Sequence, residues 1–334
     1  MTTSSRMLRG RRVLVTGAGG FIGSHLAERL VAEGASVRAF VRYTSRSDAG
    51  LLRLAPADIF SRIDVVFGDL RDEAAVHDAM RDVDLVFHLG ALIAIPYSYV
   101  HPREVVETNV IGTLNVLMAA KAHGVERIVN TSTSEVYGTA LTSPITESHP
   151  LQAQSPYSAS KIAADKLTES FGRSFDVRAV TIRPFNTFGP RQSARAVIPT
   201  VISQALATQE IRLGDLTPTR DFTYVTDTVD GFVRAACADR VDGETINLGN
   251  DREISIGDLA DLIVSLLDRP VKVVTDSARV RPPNSEVRRL HADATKAREL
   301  LGWQPHVPLE QGLRQTIAWI REHADYFEPH RYAV

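Results

Sequence analysis

The sequence predicts an α/β fold: a Rossmann-type, doubly wound parallel sheet with a smaller mixed α/β lobe at the C-terminal end. Two observations lead there. From residue 12 to about residue 175, short apolar runs alternate with amphipathic helical stretches, the order that winds a parallel sheet. A glycine-rich turn separates the first of those strands from the first helix, where such folds place a backbone turn against a ligand.

Composition narrows the classes of function. The 334 residues are 44% apolar and 23% charged, ordinary values for a globular chain. A net charge of −2 without a long basic run argues against nucleic acid as a partner. The single Cys237 rules out an internal disulfide and a cysteine metal cluster, and nothing points to a metal. Residues 1–10 are polar and the first apolar run belongs to a strand, so neither a signal peptide nor a membrane span is expected. The expected location is the cytoplasm.

In chain order, residues 12–16 read as a buried strand, followed by Gly17, Gly20 and Gly23 and a helix over 24–33. Glycines there let the backbone approach a pyrophosphate at a positive helix N-terminus. Strand, turn and helix in that order predict dinucleotide binding, with Gly17, Gly20, Phe21 and Ile22 at the turn. The spacing is GxxGxxG. The next strand, 36–41, ends without the acidic residue that holds the adenosine ribose in NAD enzymes. Val41 stands there, followed by Arg42, Ser45 and Arg46. Arg42 suits a 2′-phosphate, which favours NADP and leaves NAD open; the alternative is a set of solvated loop charges.

A third strand over 63–67 precedes Asp69 and Leu70; Asp69 meets the adenine or caps the helix over 73–80. A fourth strand, 85–91, brings Leu89 and Ala91 toward the nicotinamide ribose, while its His88 reads as a core histidine. Pro96 and Tyr97 lie in the following loop, within reach of a substrate. A helix over 104–123 carries Val106, Asn109, Val110, Thr113, Leu117 and Ala120 at helical spacing. The helix after Pro156 repeats the pattern with Ala159, Ile162, Ala163, Leu167 and Phe171. The pair suits a dimer contact or simple packing on the sheet.

Between those helices a strand over 127–130 ends in Thr131, Ser132, Thr133, Ser134 and Glu135. Hydroxyls and a carboxylate thus gather at a strand's carboxyl end, where open α/β sheets hold ligands. Tyr157 and Lys161 lie one helical turn apart on one face. An ammonium beside a phenol lowers its pKa from about 10, so proton transfer on an alcohol is the expected chemistry. A strand over 179–186 ends in Asn186, and Arg191 follows. Further along, Arg195 and Val197, then Arg220 and Tyr224, then Arg281 and Glu286 supply residues for a diphosphate-bearing substrate. A late strand over 245–249, a helix over 256–267, a strand over 271–274 and two helices split by Gly302 to Pro305 complete the chain. Residues 1–190, with returns near 220–249, form the predicted dinucleotide domain, and 191–334 the substrate lobe.

Together Thr16-Gly17-x-x-Gly20-x-x-Gly23, Asn109-Val110-x-Gly112-Thr113, Tyr157-x-x-x-Lys161, Arg183-Pro184-x-Asn186 and Arg220-Asp221-Phe222-x-Tyr224-Val225 resemble the extended short-chain dehydrogenase/reductase family, in its nucleotide-sugar epimerase and dehydratase branch. The resemblance runs from Val13 to about Trp303. It implies that Tyr157 is base and acid on a sugar 4-hydroxyl, with Lys161 lowering its pKa and holding the cofactor ribose. By the same resemblance Thr133 would hydrogen-bond that oxygen. Sugar 4,6-dehydratases carry Thr-Asp-Glu where this chain has Thr133-Ser134-Glu135, so Glu135 matches the C5 base and Ser134 departs from the acid that protonates the 6-hydroxyl. Thr-Ser-Glu also resembles the decarboxylases of nucleotide-linked uronic acids. Pro96-Tyr97-Ser98, residues 131–138, residues 192–197 and Arg281-x-x-x-Ser285-Glu286-Val287 resemble bacterial 4,6-dehydratases of nucleotide-linked N-acetylglucosamine. That expectation stands beside a C4 epimerase, a UDP-glucuronate decarboxylase, a 5,6-dehydratase and a non-enzymatic NADP sensor; retention of Tyr157 and Lys161 argues against the sensor. The resemblance further implies a homodimer.

Overall fold

The first strand of the sheet is the apolar run Val13 to Val15, buried on both faces in the sheet interior. The structure, a computed structural model, describes residues 7–328; residues 1–6 of the polar N-terminal stretch and 329–334 lie outside the described residues. In chain order the strands are β1 (Arg12–Thr16), β2 (Ser36–Arg42), β3 (Ile63–Gly68), β4 (Leu85–His88), β5 (Arg127–Thr131), β6 (Ala179–Pro184), β7 (Asn186–Phe188), β8 (Glu210–Leu213), β9 (Thr219–Arg220), β10 (Phe222–Tyr224), β11 (Thr245–Leu248), β12 (Ile254–Ser255) and β13 (Lys272–Thr275). The main helices are α1 (Phe21–Ala32), α2 (Glu73–Ala79), α3 (Gly112–His123), α4 (Pro156–Phe175), α5 (Val197–Ala207), α6 (Val225–Cys237), α7 (Ile256–Leu267), α8 (Thr295–Leu301) and α9 (Leu309–Glu322).

A seven-stranded sheet runs β11-β6-β5-β4-β1-β2-β3, parallel throughout. Its strands are near-continuous apolar runs because helices cover both faces. Strand order reverses between β1 and β4, and the crevice beyond their carboxyl ends is where such a sheet receives ligands. The chain returns to the sheet late: α6 packs against α1, β5 and β6, and β11 pairs with β6. Smaller two-stranded pairings, β7 with β10, β9 with β12 and β8 with β13, belong to the later segments.

Three local expectations need correction. Residues 95–100 form a short helix, Ile95–Val100, where a loop was expected; Pro96 sits in its first turn, where the absent N–H costs nothing. The helix over 104–123 starts earlier, at Pro102, and Glu107–Ile111 is a π-helical turn. That turn aims Asn109 inward, where its side chain pairs with the Leu92 backbone at 2.7 and 2.9 Å and donates to Ser160 Oγ at 2.9 Å. On α4 the buried face is mostly polar, with Tyr157, Ser158, Ser160, Lys161, Asp165 and Thr168 beside Ala164 and the expected Phe171. The apolar Ile162, Ala163 and Leu167 are only half-buried and Ala159 is exposed. The hydroxyl-rich end of β5 draws the polar face inward. His88 is the satisfied core histidine expected: its ring nitrogens meet Thr16 Oγ1 at 2.8 Å and Thr113 Oγ1 at 3.0 Å.

Asp221 latches the later segments together. Its carboxylate, fully buried, accepts from Asn250 N at 2.7 Å and Ala292 N at 3.2 Å. Burial pushes its pKa up to about 7 despite those bonds. A carboxyl whose folded pKa is raised stabilises the fold fully below its unfolded value and loses that contribution as pH rises through the folded one. Stability is therefore expected to fall by roughly 4 kcal/mol between about pH 4 and pH 7 from this group. Denaturant melts across that range should show a flatter slope for Asp221→Asn; an unchanged slope would contradict the assignment.

Candidate active site

At the glycine turn, Gly17 has φ +70° and a Cβ there would lie 2.8 Å from Gly90 Cα, so the turn and the end of β4 close on each other. Gly20 caps α1 without any side-chain hydrogen bond, leaving the amides of Phe21 and Ile22 at the positive end of a twelve-residue helix. An uncapped helix N-terminus behind a glycine turn fits a dinucleotide's pyrophosphate. Leu70 packs against Gly90 and Gly112, and Leu89 and Ala91 are half-buried beyond β4. Leu51 N donates to Gly19 O at 3.0 Å, which fastens the loop after β2 to the turn. Ser45 and Arg46 are exposed on that loop. Arg42 is ion-paired, its Nη2 3.2 Å from Glu104 Oε1. Asp69 does not cap α2; Asp72 does, accepting from Ala74 N and Ala75 N. Asp69 instead grips Arg71 at 2.6 Å, and that guanidinium holds its carboxyl below the usual range.

The reacting groups gather at the end of β5. Thr133 caps the 3-10 turn Ser134–Tyr137, its Oγ1 accepting from Glu135 N at 3.2 Å. Ser134 is buried and Glu135 half-buried. From α4, Tyr157 lies buried and hydrogen-bonded to the Thr133 side chain. Lys161 is buried one turn on, its Nζ donating to Thr131 O at 2.6 Å. The Tyr157 phenol is pushed above its ordinary value, first by burial and then by the charges of Glu135 and Asp165, while the Thr133 bond opposes the rise. The expected lowering by Lys161 is thus not realised. Its ammonium gives one of its three N–H donors to a backbone carbonyl and is itself pulled below its ordinary value by burial.

On the substrate side, Arg220 and Arg281 do converge, and Glu286 is what they meet, at 3.2 and 3.5 Å. Arg220 is buried and feels the charge of Glu135 as well as that of Glu286, so the predicted C5 base lies within electrostatic reach of this arginine. Asn186 sits at the start of β7 with its buried Oδ1 unpartnered among the described residues, as befits a group awaiting a ligand. Pro96 and Val197 are half-buried. Arg195 is exposed, its Nε 3.3 Å from Ser193 Oγ. Tyr97 turns to Glu104 through its hydroxyl. Tyr224 is a core residue, edge-on to Phe188 at 5.5 Å, with burial pushing its pKa up to about 12. Arg191 ties Glu28 at 2.7 Å and Leu54 O at 3.0 Å, securing α1.

Two groups beside the site carry roles that the sequence did not assign. Tyr99, two residues past Tyr97, bonds Ser285 Oγ at 2.6 Å and so joins the Ile95–Val100 helix to the segment bearing Arg281 and Glu286. Asp165, one turn beyond Lys161, accepts from Ser132 Oγ at 2.7 Å and from Arg183 at 2.9 Å. The spacing Tyr157, Lys161, Asp165 was the available signal for it. Arg183 continues to the Tyr137 hydroxyl at 2.9 Å, and that hydroxyl donates to Asn247 Oδ1 at 2.7 Å. A buried network therefore braces β5, α4, β6 and β11 behind the reacting groups.

The comparisons with known proteins agree with this geometry. The pattern of the GDP-mannose 4,6 dehydratase family matches residues 14–316. The chain is 35% identical to a UDP-glucose 4-epimerase of Mycolicibacterium smegmatis, over 93% of this chain and 98% of that one. It is also 35% identical to a UDP-N-acetyl-alpha-D-glucosaminuronate decarboxylase of Bacillus cytotoxicus, with the same shares covered. Its fold matches the crystal structure of a dTDP-glucose 4,6-dehydratase from Streptomyces venezuelae with NAD and TYD bound, at TM-score 0.86 and 31% identity, covering 95% of this chain and 99% of that one. Among the described residues no helix is long and apolar enough to cross a membrane. The chain belongs to the GDP-mannose 4,6-dehydratase type of extended short-chain dehydrogenase/reductases, the nicotinamide-dependent enzymes that dehydrate, epimerise or decarboxylate nucleotide-linked sugars.

Proposed function

We propose that the chain is a 4,6-dehydratase of nucleotide-linked N-acetylglucosamine, yielding a 4-keto-6-deoxy sugar. The observation that carries this reading is the position of Glu135, a half-buried carboxylate whose charge reaches both the Tyr157 phenol and the Arg220 guanidinium. A C4 epimerase needs no second base beside its tyrosine. A nicotinamide cofactor held at the glycine turn by Gly17, Gly20 and the Phe21 and Ile22 amides would supply hydride transfer to and from the sugar. Tyr157 takes the proton of the C4 hydroxyl, and Thr133 holds that oxygen. The ketone so formed acidifies the C5 hydrogen, which a carboxylate can then remove. Glu135 takes that proton and delivers it to the departing C6 oxygen. Ser134, a hydroxyl where related dehydratases carry an acid, holds that oxygen by hydrogen bonding and donates no proton. Lys161 orients the cofactor ribose. Arg220, Arg281 and Asn186 receive the nucleotide diphosphate. For the 6-deoxy product the hydride would go to C6 and the proton that Tyr157 took from the C4 hydroxyl would pass through Glu135 to C5; with the hydride at C4 and that proton back on its oxygen, the same groups would give a 5,6-ene.

A second reading, decarboxylation of a uronic acid, is favoured by Ser134 and by the decarboxylase relative. Incubation with UDP-, GDP- and CDP-N-acetylglucosamine and with UDP-glucuronate separates them by mass: loss of water supports the dehydratase, and loss of carbon dioxide the decarboxylase. An unchanged mass with inversion at C4 would support the epimerase. Arg42 is the residue on which the choice between NADP and NAD turns. The protein is further expected to be a homodimer through the helix over 102–123 and α4, since Val106, Ile111, Met118 and Phe175 stay more than 40% exposed there. Sedimentation of a monomer at micromolar concentration would overturn that expectation.

A further inference from the structure

The end of β2 carries no carboxylate: Val41, Arg42 and Tyr43 follow one another there. In dinucleotide folds this position decides the cofactor, because an acidic residue binds the ribose hydroxyls and an arginine receives a 2′-phosphate. By that rule the sequence alone favours NADP. The folded chain changes the balance by bringing a carboxylate from 62 residues away. Glu104 stands in the short helix Pro102–Val106, and its Oε1 lies 3.2 Å from Arg42 Nη2. Its second carboxylate oxygen takes the Tyr97 hydroxyl, so the group is held from two sides. The bond from Tyr97, and then Arg42, holds the Glu104 carboxyl below its ordinary range, so it is ionised at neutral pH. The other guanidinium on this edge, Arg71, is taken by Asp69 at 2.6 Å, and Glu107 lies close enough to Arg71 to raise it. Arg46, exposed on the same loop, is the remaining cation.

We propose that Glu104 makes this site selective for NAD over NADP, by holding the Arg42 guanidinium and placing a fixed negative charge beside the arginine that would otherwise receive a 2′-phosphate. The selectivity works by repulsion: a doubly charged 2′-phosphate meets a carboxylate, whereas an uncharged ribose hydroxyl meets no such penalty. Tyr97 is the positioning residue, fixing the carboxylate toward Arg42. Salt screens exposed pairs, and the Arg42 side chain is 57% exposed, so the preference should weaken as ionic strength rises.

The inference rests on reading the turn from Gly17 to Gly23 as a dinucleotide cradle, and binding measurements separate the two. Full-length protein, wild type and Glu104→Gln, is titrated calorimetrically with NAD and with NADP at low and at physiological salt. Wild type should bind NAD about tenfold more tightly than NADP, and Glu104→Gln should raise NADP affinity about tenfold with NAD affinity nearly unchanged. Adding Arg42→Ala to Glu104→Gln should remove the gain for NADP, whereas Arg46→Ala should leave the wild-type preference in place. A wild type that prefers NADP, or an unchanged ratio in Glu104→Gln, overturns the role of Glu104 while leaving the cradle intact. Failure of the folded wild type to bind either dinucleotide overturns the cradle reading and this inference with it.

Discussion

Glu135→Gln is expected to cut formation of the dehydrated sugar by about 10³-fold while substrate still binds. Glutamine keeps the shape of the side chain but cannot take the C5 proton. Tyr157, Thr133 and Lys161 remain, so oxidation at C4 should proceed and then stall. Reduced nicotinamide would accumulate on the enzyme, visible in its absorbance. In deuterated water the wild type should place deuterium at C5 of the product, and the variant should not. Glu135 is half-buried and outside the apolar core clusters, so the variant should fold; its melting curve checks this. Full dehydration activity in Glu135→Gln would sink the scheme.

What the sequence made legible was whatever depends on local order. The strand, the glycine turn and α1 follow one another within about twenty residues, and the positive φ at Gly17 and the close backbone approach at Gly23 dictate their residue types. Tyr157 and Lys161 were readable because helical spacing fixes a shared face. What escaped was pairing across distance. Arg42 read as a free cation because Glu104 is far along the chain; only the end of β2 and the helix after β4 bring them together. Tyr224 resembled a ligand-edge residue by its motif, yet it lies against Phe188 in the core. On α4 apolar periodicity pointed to Ile162 and Leu167 as the buried face. The decisive fact was non-local: β5 ends in Thr131 and Ser132, whose polar atoms reward burying Lys161 and Asp165. Burial of polar groups is set by their partners, and partners are a property of the fold.

Tyr157→Phe should lower turnover by about 10³-fold to 10⁴-fold and, unlike Glu135→Gln, should stop the cycle before any reduced nicotinamide appears. Phenylalanine preserves the ring packing and removes only the hydroxyl that bonds Thr133. The wild-type pH profile then tests the electrostatics. Burial, Glu135 and Asp165 all push the phenol above its ordinary value, so at neutral pH it is protonated and must be deprotonated before it can act as base. Activity should therefore climb with pH on the alkaline side, with no plateau near neutrality in the absence of other titrations. Thr133 bonds the phenol and draws its pKa down. Thr133→Val should accordingly move that rising limb to still higher pH and lower the neutral rate, whereas Ser at the same position should restore it. A purely structural role for Thr133 would lower the rate equally at every pH. If Thr133→Val moved the limb toward lower pH, the hydrogen bond would be stabilising the neutral phenol, and the role of Thr133 in easing its deprotonation would fall.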